Sequence, residues 1–133
     1  TMEPETVYDS RVKPGLRQYY SSVFSQIAQE YLLFMNELKR LPVRISTNGG
    51  WFGKEGRIDF IGKDEEGRML AAVTKWDDEA FGDKDFEQIL FTMMQAGINP
   101  DYYYLFSKTG FQSSMEIKAN AMENLELISL EQL

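Results

Sequence analysis

The sequence predicts a single α/β domain in which a mixed β-sheet carries helices on both faces. Three features of the chain point there. Its 133 residues, 43% of them hydrophobic, suit one domain around one core. Apolar residues recur at helical spacing in some stretches and form short β-type runs in others. The order of these stretches, α-β-β-β-α-β-α-β, joins a three-strand meander to strands that return through helices.

Residues 1–15 carry Pro4, Pro14 and Gly15 without a sustained apolar period and read as a linker from an upstream domain, leaving 16–133 as the folded unit. The chain starts with Thr1, as expected of a piece cut from something longer or of a cloning remnant. Tyr20, Phe24, Ile27, Tyr31, Met35 and Leu38 fall on one stripe of a helix over 16–40, with Glu30 at its edge. Leu41-Pro42 ends it. Residues 43–47 read as a strand, Asn48-Gly49-Gly50 as a turn, and Gly53 to Gly56 as a loop. Strands over 57–61 and 68–76 follow, joined by the polar hairpin around Gly67. A helix over 84–97 buries Phe86, Ile89, Leu90 and Met93 and stops at Gly97 and Pro100. Tyr102 to Ser107 is a strand, Phe111 to Met122 a helix, and Leu125 to Ser129 the last strand.

Composition removes several chemistries. Without cysteine or histidine, zinc sites of the usual ligands, disulfides, thiol nucleophiles and imidazole triads are excluded. Proton transfer falls to carboxylates, lysine, tyrosine or water, and any metal to oxygen ligands, which favours magnesium, calcium or manganese. No apolar run is long enough to span a membrane, and the polar, acidic N-terminus is no signal peptide, so a cytoplasmic location is expected. The net charge of −7 is uneven: residues 1–50 are net +1 and residues 51–133 net −8. A basic stripe is the usual footprint of tight DNA binding, so the balance argues against generic binding to phosphate. No glycine loop matches a nucleotide fingerprint, and the serine pairs Ser21-Ser22 and Ser113-Ser114 lack a base.

Side chains two apart on a strand share a face. Arg57, Asp59 and Ile61 thus point one way, and Val73, Lys75 and Asp77 share a face of the next strand. Across the hairpin, Asp59 and Lys75 come near each other, either as a cross-strand ion pair or as part of a metal-dependent phosphodiester site. There, carboxylates hold the ion, the ion activates water, and lysine offsets phosphate charge. Tyr102, Tyr104 and Phe106 read as a buried sheet face, Trp76 as core, and Asp77 to Glu79 as a solvated loop.

The run Gly56-Arg57-Ile58-Asp59-Phe60-Ile61-Gly62, then Ala71-Ala72-Val73-Thr74-Lys75-Trp76, then Tyr103 to Phe111 (Tyr-Tyr-Leu-Phe-Ser-Lys-Thr-Gly-Phe) resembles the C-terminal, restriction-endonuclease-like PD-(D/E)XK domain of prokaryotic AAA-type ATPases. The family pattern is an Ile-Asp strand, a Gly-Glu-Cys-Lys-Trp strand and a Phe-Ser-Lys-Ser-Gly-Phe segment. Glu30-Tyr31-Leu32 is similar to its first helix and Trp51-Phe52 to its aromatic pair. The resemblance implies a catalytic set of Glu30, Asp59 and Lys75, with Asp59 and Glu30 as metal ligands. It departs at Val73, where the family has the strand glutamate. Glu55 and Asp77 are the nearest replacements, and Asp77 lies about 13 Å along the strand at ~3.3 Å per residue. Magnesium is then held weakly at best.

The expectation is a degenerate, non-catalytic nuclease-like accessory domain of a larger ATPase, acting in weak DNA binding or protein interaction. Its partners are the upstream ATPase domain of the same chain and DNA, not a membrane. The rivals are an active magnesium-dependent DNA endonuclease and a purely protein-binding domain, which the net charge favours over generic DNA binding.

Overall fold

The computed structural model describes residues 13–54 and 56–133. Eight elements follow in the predicted order: α1 (Lys13–Glu37), β1 (Thr47–Gly53), β2 (Gly56–Lys63), β3 (Met69–Lys75), α2 (Asp83–Ala96), β4 (Tyr102–Ser107), α3 (Ser113–Ala121) and β5 (Leu125–Ser129), before a short 3-10 turn at Leu130–Gln132. The expected linker lies outside the described residues up to position 12. From Lys13 the chain is already helical, because proline costs nothing in a first turn whose N–H groups have no partner.

The five strands lie in the order β1-β2-β3-β4-β5. The first three pair antiparallel and β3, β4 and β5 pair parallel. The β2–β3 hairpin is therefore interior, as its apolar content predicts. α1 covers one face through Phe24, Ala28 and Leu32, which pack with Val43, Phe60, Leu70, Ala72 and Phe106. α2 and α3 cover the other through Phe86, Met93 and Met115, against Ile58, Ala71, Val73 and Leu105. No helix among the described residues is long and apolar enough to cross a membrane.

Five local expectations are corrected. α1 ends at Glu37, where Lys39 turns the chain at φ 61°, and does not run on to Pro42. Leu90 of α2 is 38% exposed rather than buried. The buried line of α1 is turned toward Ala28 and Leu32, leaving Tyr20, Ile27 and Leu38 exposed. A small side chain at position 28 brings the helix close to the sheet, and larger groups flank that contact. Residues 43–46 are not a strand. Val43 is buried, and the Asn36 side chain accepts from the Ile45 N–H at 2.9 Å and donates to the Ile45 carbonyl at 3.1 Å, replacing a strand partner. Asn48-Gly49-Gly50 is not a turn but part of edge strand β1. Gly49 pairs with Ile61 and Trp51 with Ile58, so Gly50 alone opposes Asp59 and Phe60. This is a β-bulge. A Cβ at position 50 would sit 3.3 Å from the Ile58 carbonyl oxygen and 3.4 Å from that of Asp59, a tight fit that glycine relieves.

Candidate functional site

The bulge decides where Asp59 goes. Alternation fails across it: Ile58 and Ile61 pack on the α2–α3 side, while Phe60 packs on the α1 side. Asp59 joins Phe60 on the α1 side. Its Oδ1 accepts the Ser25 hydroxyl at 2.6 Å and lies 3.2 Å from Arg57 Nε, and its Oδ2 accepts the Thr74 N–H at 2.8 Å. The Asp59 side chain is 2% exposed. A carboxylate so enclosed and so fully bonded clamps α1 to the β2–β3 pair; little of it remains to face a metal or a substrate.

Lys75 leaves on the opposite face. Its Nζ donates to Asp85 Oδ2 at 2.9 Å, and the same oxygen accepts the Gly82 N–H at 2.9 Å, satisfying a backbone donor at the start of α2. The expected approach of Asp59 to Lys75 is thus corrected: each has its own partner, and the sheet lies between them. Val73 shares the face of Lys75 and is buried in the apolar layer with Phe81, Phe86 and Leu105. Glu30 is exposed, and among the described residues its carboxylate accepts an amide N–H of Gln26, at 3.3 Å. At ~100° per residue it lies roughly 150° around α1 from the line of Phe24, Ala28 and Leu32. Asp77 Oδ1 accepts the Glu79 N–H within its own loop. Glu55 lies outside the described residues. Among the described residues no three acidic side chains gather closely enough to hold a metal ion.

Between α1 and β2 a cleft of about 610 Å³ opens over Asp59, lined by Ser21, Ser22, Ser25, Gln26, Gln29 and Arg57 together with Gln18. The Arg57 guanidinium donates to Ser21 Oγ at 3.2 Å, and Gln29 donates to Ser25 Oγ at 3.2 Å. The cleft is a field of neutral hydrogen-bonding groups around the Arg57–Asp59 ion pair. Sequence reasoning missed Ser25, Gln29 and Asp85. The first two were hidden because the sheet-facing line of α1 was placed too far around the helix. Asp85 had a visible signal: an acid in the first turn of a helix.

Two carboxyl groups, Asp64 and Asp83, are held low. Burial alone would raise Asp64, yet the N–H groups of Arg68 and Glu66 and the Arg68 guanidinium overcome this and hold it below the usual carboxylate range. Hydrogen bonds from Lys118 and Ser114 hold Asp83 down in the same way and tie α2 to α3. Burial pushes the Tyr104 phenol up to about 12.

A family described as archaeal and bacterial proteins of unknown function, DUF234, matches residues 1–89. An uncharacterized protein of Methanocaldococcus jannaschii is 30% identical over 87 residues, which make up 64% of this chain. This chain spans 19% of the length of that relative. A solved crystal structure of a protein of unknown function covers 76% of this chain and 56% of its own, at 15% identity and a TM-score of 0.46. The family match takes in well over half of the sequence, and the chain belongs to DUF234.

Proposed function

We propose that this chain is a restriction-endonuclease-like accessory domain of a larger ATPase, without nuclease activity of its own, that acts by binding: to protein, with weak contact to DNA. One observation carries the reading. Asp59 and Lys75 stand on opposite faces of the sheet, the first closed in by Ser25, Thr74 and Arg57 and the second held by Asp85. Metal-assisted phosphodiester hydrolysis needs them on one side of the scissile phosphate, and displacement of reacting groups by about 1 Å already costs on the order of 100-fold. Magnesium finds at most one weak ligand in the cleft. The upstream ATPase domain is the first partner, and the cytoplasm is the compartment. Protein contact is favoured by aromatic rings left exposed on α1, Tyr19 at 61% and Phe34 at 58%.

The test is nicking of supercoiled plasmid in magnesium and in manganese by the wild-type chain and by Asp59→Ala. The expected result is no nicking above buffer by either. Wild-type nicking that disappears in an Asp59→Ala variant still folded by circular dichroism would establish the active endonuclease instead.

A further inference from the structure

A second pocket lies apart from the Asp59 cleft, at the carboxyl ends of β3 and β4. Trp76 follows β3 and Lys108 follows β4, so two neighbouring parallel strands deliver an indole and an ammonium group to one edge. α1 adds Arg17 and Tyr20, and with Asp78 these side chains line about 230 Å³. The Tyr20 and Trp76 ring centroids are 6.0 Å apart and tilted by 31°. Lys108 Nζ stands 4.7 Å from the indole centroid. The Asp78 carboxylate bridges both cations, at 3.3 Å from Arg17 and 2.9 Å from Lys108, while its own side chain is 70% exposed.

Two cations therefore converge on one exposed carboxylate beside an aromatic ledge. A ligand matching this pocket needs a flat π-face and an anionic group at its edge. We propose that the pocket binds a nucleotide unit, its base against Tyr20 and its phosphate between Arg17 and Lys108, in the place of the Asp78 carboxylate. Bases stack on exposed aromatic rings whatever their identity. A phosphate offers cations more acceptor oxygens than a carboxylate does. Ligands of open α/β sheets collect outside the carboxyl ends of strands. An acidic peptide would engage the cations and leave Tyr20 unused. A free mononucleotide and the end of a single strand share the required chemistry. The assignment deepens the DNA contact proposed above and does not depend on the absence of catalysis.

The chain has two tryptophans, so Trp51→Phe leaves Trp76 as the sole reporter. This chain is titrated at low salt with thymidine monophosphate and with oligodeoxythymidylate, following tryptophan emission. Saturable quenching is expected, with Tyr20→Ala and Arg17→Ala each weakening binding about tenfold. Asp78→Ala, which removes the internal competitor, tightens it severalfold; this gain keeps the test decisive if a loss-of-binding variant folds poorly. Quenching by the mononucleotide identifies a free nucleotide as ligand, and quenching by the oligonucleotide alone identifies a strand. No quenching by either, equal quenching in Tyr20→Ala, weaker binding in Asp78→Ala, or an equal response to a glutamate-rich peptide would each overturn the assignment. Plasmid nicking would overturn the non-catalytic reading and leave this one standing.

Discussion

Glutamate at position 73 would complete the nuclease pattern that the sequence resembles, and the structure predicts that it strongly destabilises the domain instead. Val73 is 7% exposed and packs among Ile58, Ala71, Phe81, Phe86 and Leu105. Replacing it removes roughly 1.5–3 kcal/mol of apolar burial. The new carboxylate then has two costly choices: to stay charged in an apolar layer, or to take up a proton. Protonation caps the charge cost. At pH 7 it amounts to about 1.4 kcal/mol for each of some 2.7 units above the ordinary glutamate value of ~4.3, or ~4 kcal/mol. Lys75, two residues along on the same face, offsets part of it. The total rivals the stability of a small domain, about 5–15 kcal/mol. The sign with pH follows. A glutamate whose native pKa is raised destabilises above its unfolded value and not below it. Urea unfolding of Val73→Glu and Val73→Gln should therefore differ by several kcal/mol at pH 7 and converge near pH 4.5. Equal stability of the two variants at pH 7, or stabilisation of Val73→Glu by manganese, would refute the placement of this side chain.

Other expectations follow from single contacts. Asp59→Ala strands the Thr74 N–H and the Ser25 hydroxyl, so it should cost roughly 2–4 kcal/mol in chemical denaturation; a loss under about 0.5 kcal/mol would show that the clamp is not structural. Asp64, held low by Arg68 and Glu66, contributes stability that is complete above the ordinary aspartate value of ~3.9 and fades as pH falls through its lowered native value. The gap between wild type and Asp64→Asn should accordingly narrow below about pH 4, as read by thermal melts across pH; a constant gap would contradict the assignment. Phe52→Ser, at a side chain 86% exposed on edge strand β1, should change stability by less than about 0.5 kcal/mol in the same melts.

The alternation of elements was legible because its signals are local. The stops at Gly97 and Pro100, the aromatic run Tyr102 to Ser107 and the polar hairpin at Gly67 each act within a few residues. The site was less legible because it depends on phase. One extra residue in β2, at Asp59-Phe60, moves a side chain from one face of the sheet to the other, and the only trace of it in the sequence is a glycine pair on the neighbouring strand that also reads as a turn. On α1 the same weakness appears as rotation: an alanine marks the contact line, and a hydrophobic stripe built on large residues misses it. Glu30 was misplaced by that error. The resemblance to a nuclease pattern matched residue types in order along the chain, and type and order do not fix the face.

The non-catalytic reading rests on Asp59 and Lys75 belonging to different sites, and paired double-mutant cycles test it directly. Unfolding free energies are measured for Asp59→Ala, Lys75→Met, Ser25→Ala and the two doubles that contain Asp59→Ala. Asp59 and Lys75 should be additive within about 0.5 kcal/mol, while Asp59 and Ser25, joined by a 2.6 Å hydrogen bond, should couple by about 1 kcal/mol or more. Strong coupling of Asp59 to Lys75 together with additivity of Asp59 and Ser25 would put the acid and the lysine back on one face and contradict the account.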